Sequence, residues 1–302
     1  MADTDLRTHA LGTLVTAMVT PFTDAGEVDY NQAAELANKL VDDGCDGLVV
    51  TGTTGETSTL TDQENVGMFR AVKEAVGDRA AIIAGTGTND TAHSVQLSQK
   101  AAALGVDGLL LVTPYYNKPS QAGLYAHFNT VASAVDVPVM LYDIPGRSSI
   151  EIAPDTMIRL AQHPNIIAVK DAKADFVSAA RVMAETDLAF YSGDDGLTLP
   201  WMALGAVGLV GVTTHVATRR FRDLIDAVNA NDFDLARKIN AELLPVVRAT
   251  MTRVQGAVAA KQILKWQGVL PNSIVRLPLV EPDETEITII REDLAEAGLV
   301  FP

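Results

Sequence analysis

The segment Ile166-Ile167-Ala168-Val169-Lys170 is apolar enough to be a buried strand until its last residue, which is an amine. Burying an ammonium without a partner costs several kcal/mol, so a lysine in such a place tends to lower its pKa and lose its proton. A neutral lysine is a nucleophile, and its attack on a carbonyl gives a Schiff base, a task that needs lysine and no other side chain. The competing reading is structural: a lysine at a strand exit that snorkels to solvent or pairs with Asp171 or Asp143.

Other segments could serve the same chemistry. Thr51-Gly52-Thr53-Thr54-Gly55-Glu56-Thr57 combines glycines, which let backbone N–H groups approach a ligand, with hydroxyl donors, a composition suited to an anion or to a plain tight turn. It lacks the lysine of a P-loop. Thr113-Pro114-Tyr115-Tyr116-Asn117-Lys118-Pro119 puts two of the chain's six tyrosines side by side, able to shuttle protons or simply to pack. Leu141-Tyr142-Asp143-Ile144-Pro145-Gly146-Arg147 adds a strand-end phenol and an arginine able to hold a carboxylate bidentately. Ser192-Gly193-Asp194-Asp195-Gly196 and Gly208-Leu209-Val210-Gly211-Val212-Thr213-Thr214 are small-residue turns with room for a ligand. Asp194 and Asp195 are read as caps and dipole partners rather than as an acid/base pair.

These segments follow apolar runs that recur along the chain, each succeeded by a turn and a helical pattern. Eight runs are expected to be strands: 13–19, 47–50, 81–84, 108–112, 138–142, 166–170, 189–192 and 208–212. Asp29 to Gln32 and Thr61 to Glu64 fit the capping-box pattern at helix starts. Eight alternations in ~250 residues predict an α/β fold, a (β/α)8 barrel, with an open doubly wound sheet as the alternative. The barrel is assigned to 1–222 and a C-terminal helical extension to 223–302, with helices over 233–247, 256–266 and 284–297. In such a barrel the ends of the strands and the loops after them converge on one face, which brings the lysine, phenols, Gly/Thr turn and arginine together.

Composition narrows the partners. Twenty-three Lys and Arg against 38 Asp and Glu give a net charge of −15, unsuited to nucleic acid or an anionic membrane. The single cysteine, Cys45, forms no internal disulfide, and a reducing cytoplasm is expected. Residues 1–9 show no secretory pattern, and no run is long enough to span a membrane. His9, His93, His127, His163 and His215 are scattered without metal-ligand spacing, so no metal is expected.

Taken in order, Gly52-Thr53-Thr54-Gly55-Glu56, Thr113 to Pro119, Tyr142 to Arg147, Val169-Lys170-Asp171 and Ser192 to Asp195 make the chain similar, over nearly its whole length, to the dihydrodipicolinate synthase family of pyruvate-dependent class I aldolases. The resemblance implies that Lys170 forms the Schiff base with pyruvate and that Tyr142, Thr53 and Tyr116 relay protons, Tyr116 from the neighbouring subunit. It implies that Thr53 and Thr54 hold the pyruvate carboxylate, that Arg147 binds the carboxylate of L-aspartate 4-semialdehyde, and that Gly193 and the Val210 carbonyl line the pocket. No cofactor is implied, and a homotetramer built as a dimer of dimers is. Arg147 favours the semialdehyde over the second substrates of related lyases for N-acetylneuraminate or 2-keto-3-deoxy sugar acids, and the intact set argues against a non-catalytic paralogue.

Departures from the family pattern are informative. Asp143 stands where the family commonly has Asn, and is expected to add negative charge near Lys170. The family's lysine-binding cleft maps to Thr57, Ser58, Asp62, Asn65, Asn89, His93 and Tyr115, with Asp62 and Asn65 in place of two histidines and His93 in place of a Glu. Losing the carboxylate for lysine's α-amine should cost about 2 kcal/mol, so weak or absent lysine feedback is expected.

Overall fold

Eight strands close into a barrel in chain order: β1 (Leu14–Ala17), β2 (Gly47–Val50), β3 (Ala81–Gly85), β4 (Gly108–Val112), β5 (Val139–Asp143), β6 (Ile166–Asp171), β7 (Ala189–Ser192) and β8 (Gly208–Gly211). Every neighbouring pair is parallel and β8 returns to β1, which excludes the open sheet. The computed structural model describes residues 10–301; the 1–9 segment, including His9, and Pro302 lie outside the described residues. Strands covered by helices outside and packed side chains inside need apolar residues on both faces, and nearly every strand residue is buried.

The expected strands all occur, with shifted ends. The first stops at Ala17 instead of 19, because the Val19 N–H turns to the His215 ring (3.1 Å) and Pro21 has no N–H to offer. β5 and β6 each run one residue further than expected, pairing Asp143 with Asp171. Between them the register slips: Val139 pairs with Ile166 but Met140 with Ala168, leaving Ile167 as an extra residue. That bulge sets the site, because downstream of it Tyr142 stands opposite Lys170.

Most of the longer helices start at a residue whose side chain caps them. Thr61 and Glu64 complete a capping box, whereas the one expected at Asp29 is half made. Asp29 accepts from the Gln32 N–H, but the Gln32 amide reaches the Val269 carbonyl instead of returning to the cap. At the other end of the barrel wall, the helix Thr214–Asn229 runs through residue 222. Three further helices follow, Phe233–Met251, Gly256–Trp266 and Glu284–Glu296.

One large core fills the barrel and the layer between barrel and helices. Leu14 and Leu209 carry a second cluster out to Phe221, Ile225, Ile239 and Leu243, so the helix Phe233–Met251 is packed on the barrel. Val246, Ile263, Ile290 and Leu294 form a third cluster within the last helices. Among the described residues no helix is long and apolar enough to cross a membrane.

Candidate active site

Lys170 lies next to the end of β6, in register between Tyr142 of β5 and Tyr191 of β7. It is 4% exposed, with Nζ 4.3 Å from the centroid of the Tyr142 ring. Burial lowers its pKa to about 8; Asp195 opposes this and Arg147 adds to it. The structural alternative, pairing with Asp171 or Asp143, is not realised. Side chains alternate along a strand, and these two carboxylates face the opposite side, where Asp143 lies 3.4 Å from Lys173 and Asp171 accepts the Lys173 N–H (2.7 Å). The expectation that Asp143 adds charge near Lys170 is therefore overturned: the carboxylate acting on this amine is Asp195.

Asp195 is buried and accepts the N–H groups of Val212 (2.9 Å) and Thr213 (2.6 Å), which ties the turn after β7 to the exit of β8. Asp194 caps the same turn through the Gly196 N–H (2.9 Å). Both are structural in their contacts, as expected, yet Asp195 also sets the field at Lys170 and Tyr142. Burial pushes the Tyr142 phenol up to about 12, with Arg147 and a hydrogen bond from Thr53 holding it down and Asp195 pushing it further. A phenol in that state keeps its proton at neutral pH and can donate it.

A cavity of about 390 Å³ opens beside these groups, walled by Thr53, Thr57, Ser58, Tyr115, Tyr142 and Arg147 among others. The β2 loop reaches over it because Gly85 has no side chain: a Cβ there would lie 2.4 Å from the Thr51 carbonyl oxygen. Thr54 is buried behind the wall, and Gly193 and Val210 stand across the barrel after β7 and in β8. Gly193 donates to the Asp171 carbonyl (2.7 Å), an approach in which a Cβ would meet that oxygen at 2.9 Å. Tyr116 is not brought to the cavity by its own chain; it is 89% exposed.

Three of the seven positions to which the resemblance maps a lysine-binding cleft reach the cavity. Tyr115, Thr57 and Ser58 line it, and the Thr57 hydroxyl donates to Asn65 (3.2 Å). His93 lies 2.7 Å from Asp62, whose other oxygen accepts from Lys100 (2.8 Å). Asn89 offers its carbonyl to the Asn117 amide (2.8 Å).

One pair escaped the sequence reading. Glu56, within the Gly/Thr loop, is buried in an ion pair with Lys261 of the helix Gly256–Trp266 and also accepts the Arg276 N–H (2.9 Å). Its signal was available: Lys261 interrupts the apolar run Ala257 to Leu264.

Comparison with known proteins agrees with this geometry. Residues 10–297 match the model of the dihydrodipicolinate synthetase family. A 4-hydroxy-tetrahydrodipicolinate synthase of Acidothermus cellulolyticus is 53% identical over 98% of this chain and 95% of its own. Among solved structures, a dihydrodipicolinate synthase of Bacillus anthracis superposes with a TM-score of 0.91 at 42% identity, covering 94% of this chain and 98% of that one. The enzyme of Cyanidioschyzon merolae with lysine bound gives 0.93 at 40% identity, covering 97% and 100%.

Proposed function

The chain belongs to the dihydrodipicolinate synthetase family, and from that premise we propose that Lys170 is the nucleophile with which it condenses pyruvate and L-aspartate 4-semialdehyde to 4-hydroxy-tetrahydrodipicolinate. This is the Schiff-base lyase step of diaminopimelate and lysine biosynthesis. The observation that carries the role of Lys170 is its place: a buried amine lowered to about 8, lying on the Tyr142 ring beside a cavity with hydroxyls at one wall and an arginine at another.

The chemistry follows from those groups. The neutral amine of Lys170 adds to the pyruvate carbonyl, and the Tyr142 phenol, with Thr53 as its hydrogen-bond partner, delivers the proton with which water leaves. The resulting protonated imine withdraws electrons, so the methyl group loses a proton and an enamine forms. Its carbon attacks the aldehyde, whose oxygen takes a proton and becomes the hydroxyl. The amine of the second substrate then adds to the imine carbon, closes the ring and displaces Lys170.

Thr53 and Thr54 hold the pyruvate carboxylate, Arg147 holds that of the semialdehyde, and Gly193 and the Val210 carbonyl complete the pocket. The exposure of Tyr116 supports a role in the site of a second copy. Assembly as a dimer of dimers, a cytoplasmic location and weak lysine feedback belong to the same reading. Borohydride reduction with pyruvate, followed by mass mapping, tests it: the adduct is expected on Lys170, and an adduct elsewhere, or none, overturns the mechanism.

A further inference from the structure

Asp143 and Asp171 are register partners at the last paired position of β5 and β6, with both carboxylates buried on the side away from Tyr142 and Lys170. Two buried carboxylates on neighbouring strands need a cation, and the largely buried side chain of Lys173 supplies it. Its Nζ lies 3.4 Å from Asp143, 3.5 Å from Glu151 and 3.5 Å from the Ile152 carbonyl oxygen. Burial pushes the Asp143 carboxyl up to about 7; Lys173 holds it down and Asp171 pushes it further. The other carboxylate oxygen of Asp143 accepts the Ile152 N–H at 3.2 Å.

Residues 144–151 between those two anchors are the loop that carries Arg147. Asp143 therefore closes this loop at its base, and Lys173 touches both ends of it. The loop's remaining hydrogen bonds are its own or come from one neighbour, the Ser148 hydroxyl donating to the Ile150 carbonyl (2.7 Å) and Gln121 bonding the Glu151 carbonyl (2.9 Å) and the Ala153 N–H (3.0 Å), while Ile144 and Ile150 pack against the core without fixing a direction for Arg147. Of the groups assigned to pyruvate, Thr53 and Thr54 follow β2, while Tyr142 and Lys170 share β5 and β6 with these carboxylates but face the opposite side of the two strands.

We propose that Asp143 and Lys173 are a positioning pair that fixes the 144–151 loop and so sets how tightly Arg147 grips the carboxylate of the second substrate. This rests on the roles given above to Arg147 and Lys170. The pair touches no substrate, and its effect is confined to one of the two substrates.

Steady-state kinetics of full-length Asp143→Ala, Asp143→Asn and Lys173→Met decide it. Asp143→Ala and Lys173→Met should raise KM for the semialdehyde about tenfold or more, the loss expected for a misplaced charged hydrogen bond. KM for pyruvate and borohydride trapping on Lys170 should stay within about twofold, since Tyr142 and Lys170 are held by the strand ladder and face away from the pair. Asp143→Asn keeps an acceptor for the Ile152 N–H but sets an amide NH2 against the Lys173 ammonium, so it should recover only part of the Asp143→Ala loss. Parallel rises in both KM values, a fall in kcat alone, or an Asn variant as damaged as the Ala variant overturns the pair's role. Should Asp143→Ala fail to fold, Lys173→Met carries the same split. A wild-type enzyme that traps pyruvate on Lys170 yet does not turn over the semialdehyde refutes the substrate reading itself, and the pair's role with it.

Discussion

An amine whose pKa is about 8 is neutral in roughly one molecule in ten at pH 7, which is enough to react and far more than an ordinary lysine offers. Formation of the borohydride-trapped pyruvate adduct should therefore slow about tenfold per pH unit below 8 and level off above it. Asp195→Asn removes the charge that raises this pKa, so the shoulder should move to lower pH; a shoulder near 10.5, or one that moves upward, contradicts the assignment. The positions to which the family resemblance maps a lysine cleft yield a second expectation. Bonding by Lys100 and His93 holds the Asp62 carboxyl below its usual range and occupies both oxygens, leaving no free carboxylate there for the α-ammonium of lysine. Losing one charged hydrogen bond costs about 1.5–3 kcal/mol, so submillimolar L-lysine should leave turnover unchanged, and inhibition in that range would contradict it. The sequence exposed Lys170, Tyr142, Thr53 and Arg147 because each is a chemically odd residue at a strand end or in its loop. It could not separate Asp195 from Asp194, adjacent carboxylates of which only Asp195 is buried and reaches backbone groups 17 and 18 residues away, nor pair Asp62 with a lysine 38 residues away.

Besides the apolar cluster around Leu14 and Leu209, the barrel and the C-terminal helices meet at the Gly/Thr loop. Glu56 and Lys261 are both almost wholly buried, and Lys261 also donates to the Ile274 carbonyl (2.8 Å) and lies 4.0 Å from the centroid of the Phe22 ring. Removing one member of such a pair strands the other charge, which costs more than the pair contributes when intact. Lys261→Met should lower the unfolding free energy by about 3–5 kcal/mol, and the double change Glu56→Gln with Lys261→Met should recover much of it. Urea denaturation followed by circular dichroism measures both; a single variant as stable as the wild type would show that the pair contributes nothing to holding the helix Gly256–Trp266 on the barrel. The elements themselves were readable because buried parallel strands are short apolar runs between turns. The bulge at Ile167 was not, since a run apolar on both faces has no alternation to show which residue is extra. The missing half of the Asp29 cap was equally hidden, because the Gln32 amide is taken by a carbonyl 237 residues away.

At the scale of the whole molecule, the count of eight alternating units favoured a barrel but left an open sheet as the alternative until β8 was found paired with β1; assembly is a property of surfaces, and a single chain displays it only through residues that have no reason to be exposed. Tyr116 is such a residue: its backbone is held at φ 75° and its ring is 89% exposed, while Tyr115 beside it lines the cavity. If its phenol completes the relay of a second copy, each active site draws on two chains, and two crippled variants can repair one another. Lys170→Ala destroys its own site but still presents a normal Tyr116. Tyr116→Phe keeps its own lysine but impairs the neighbour. Unfolding and refolding an equal mixture should make about half of the dimers hybrid, each with one complete site of two, so activity should return to roughly a quarter of the wild-type value. Each variant refolded alone should remain nearly inactive. A mixture no more active than the average of its two components would place Tyr116 in its own chain's site or outside the chemistry altogether.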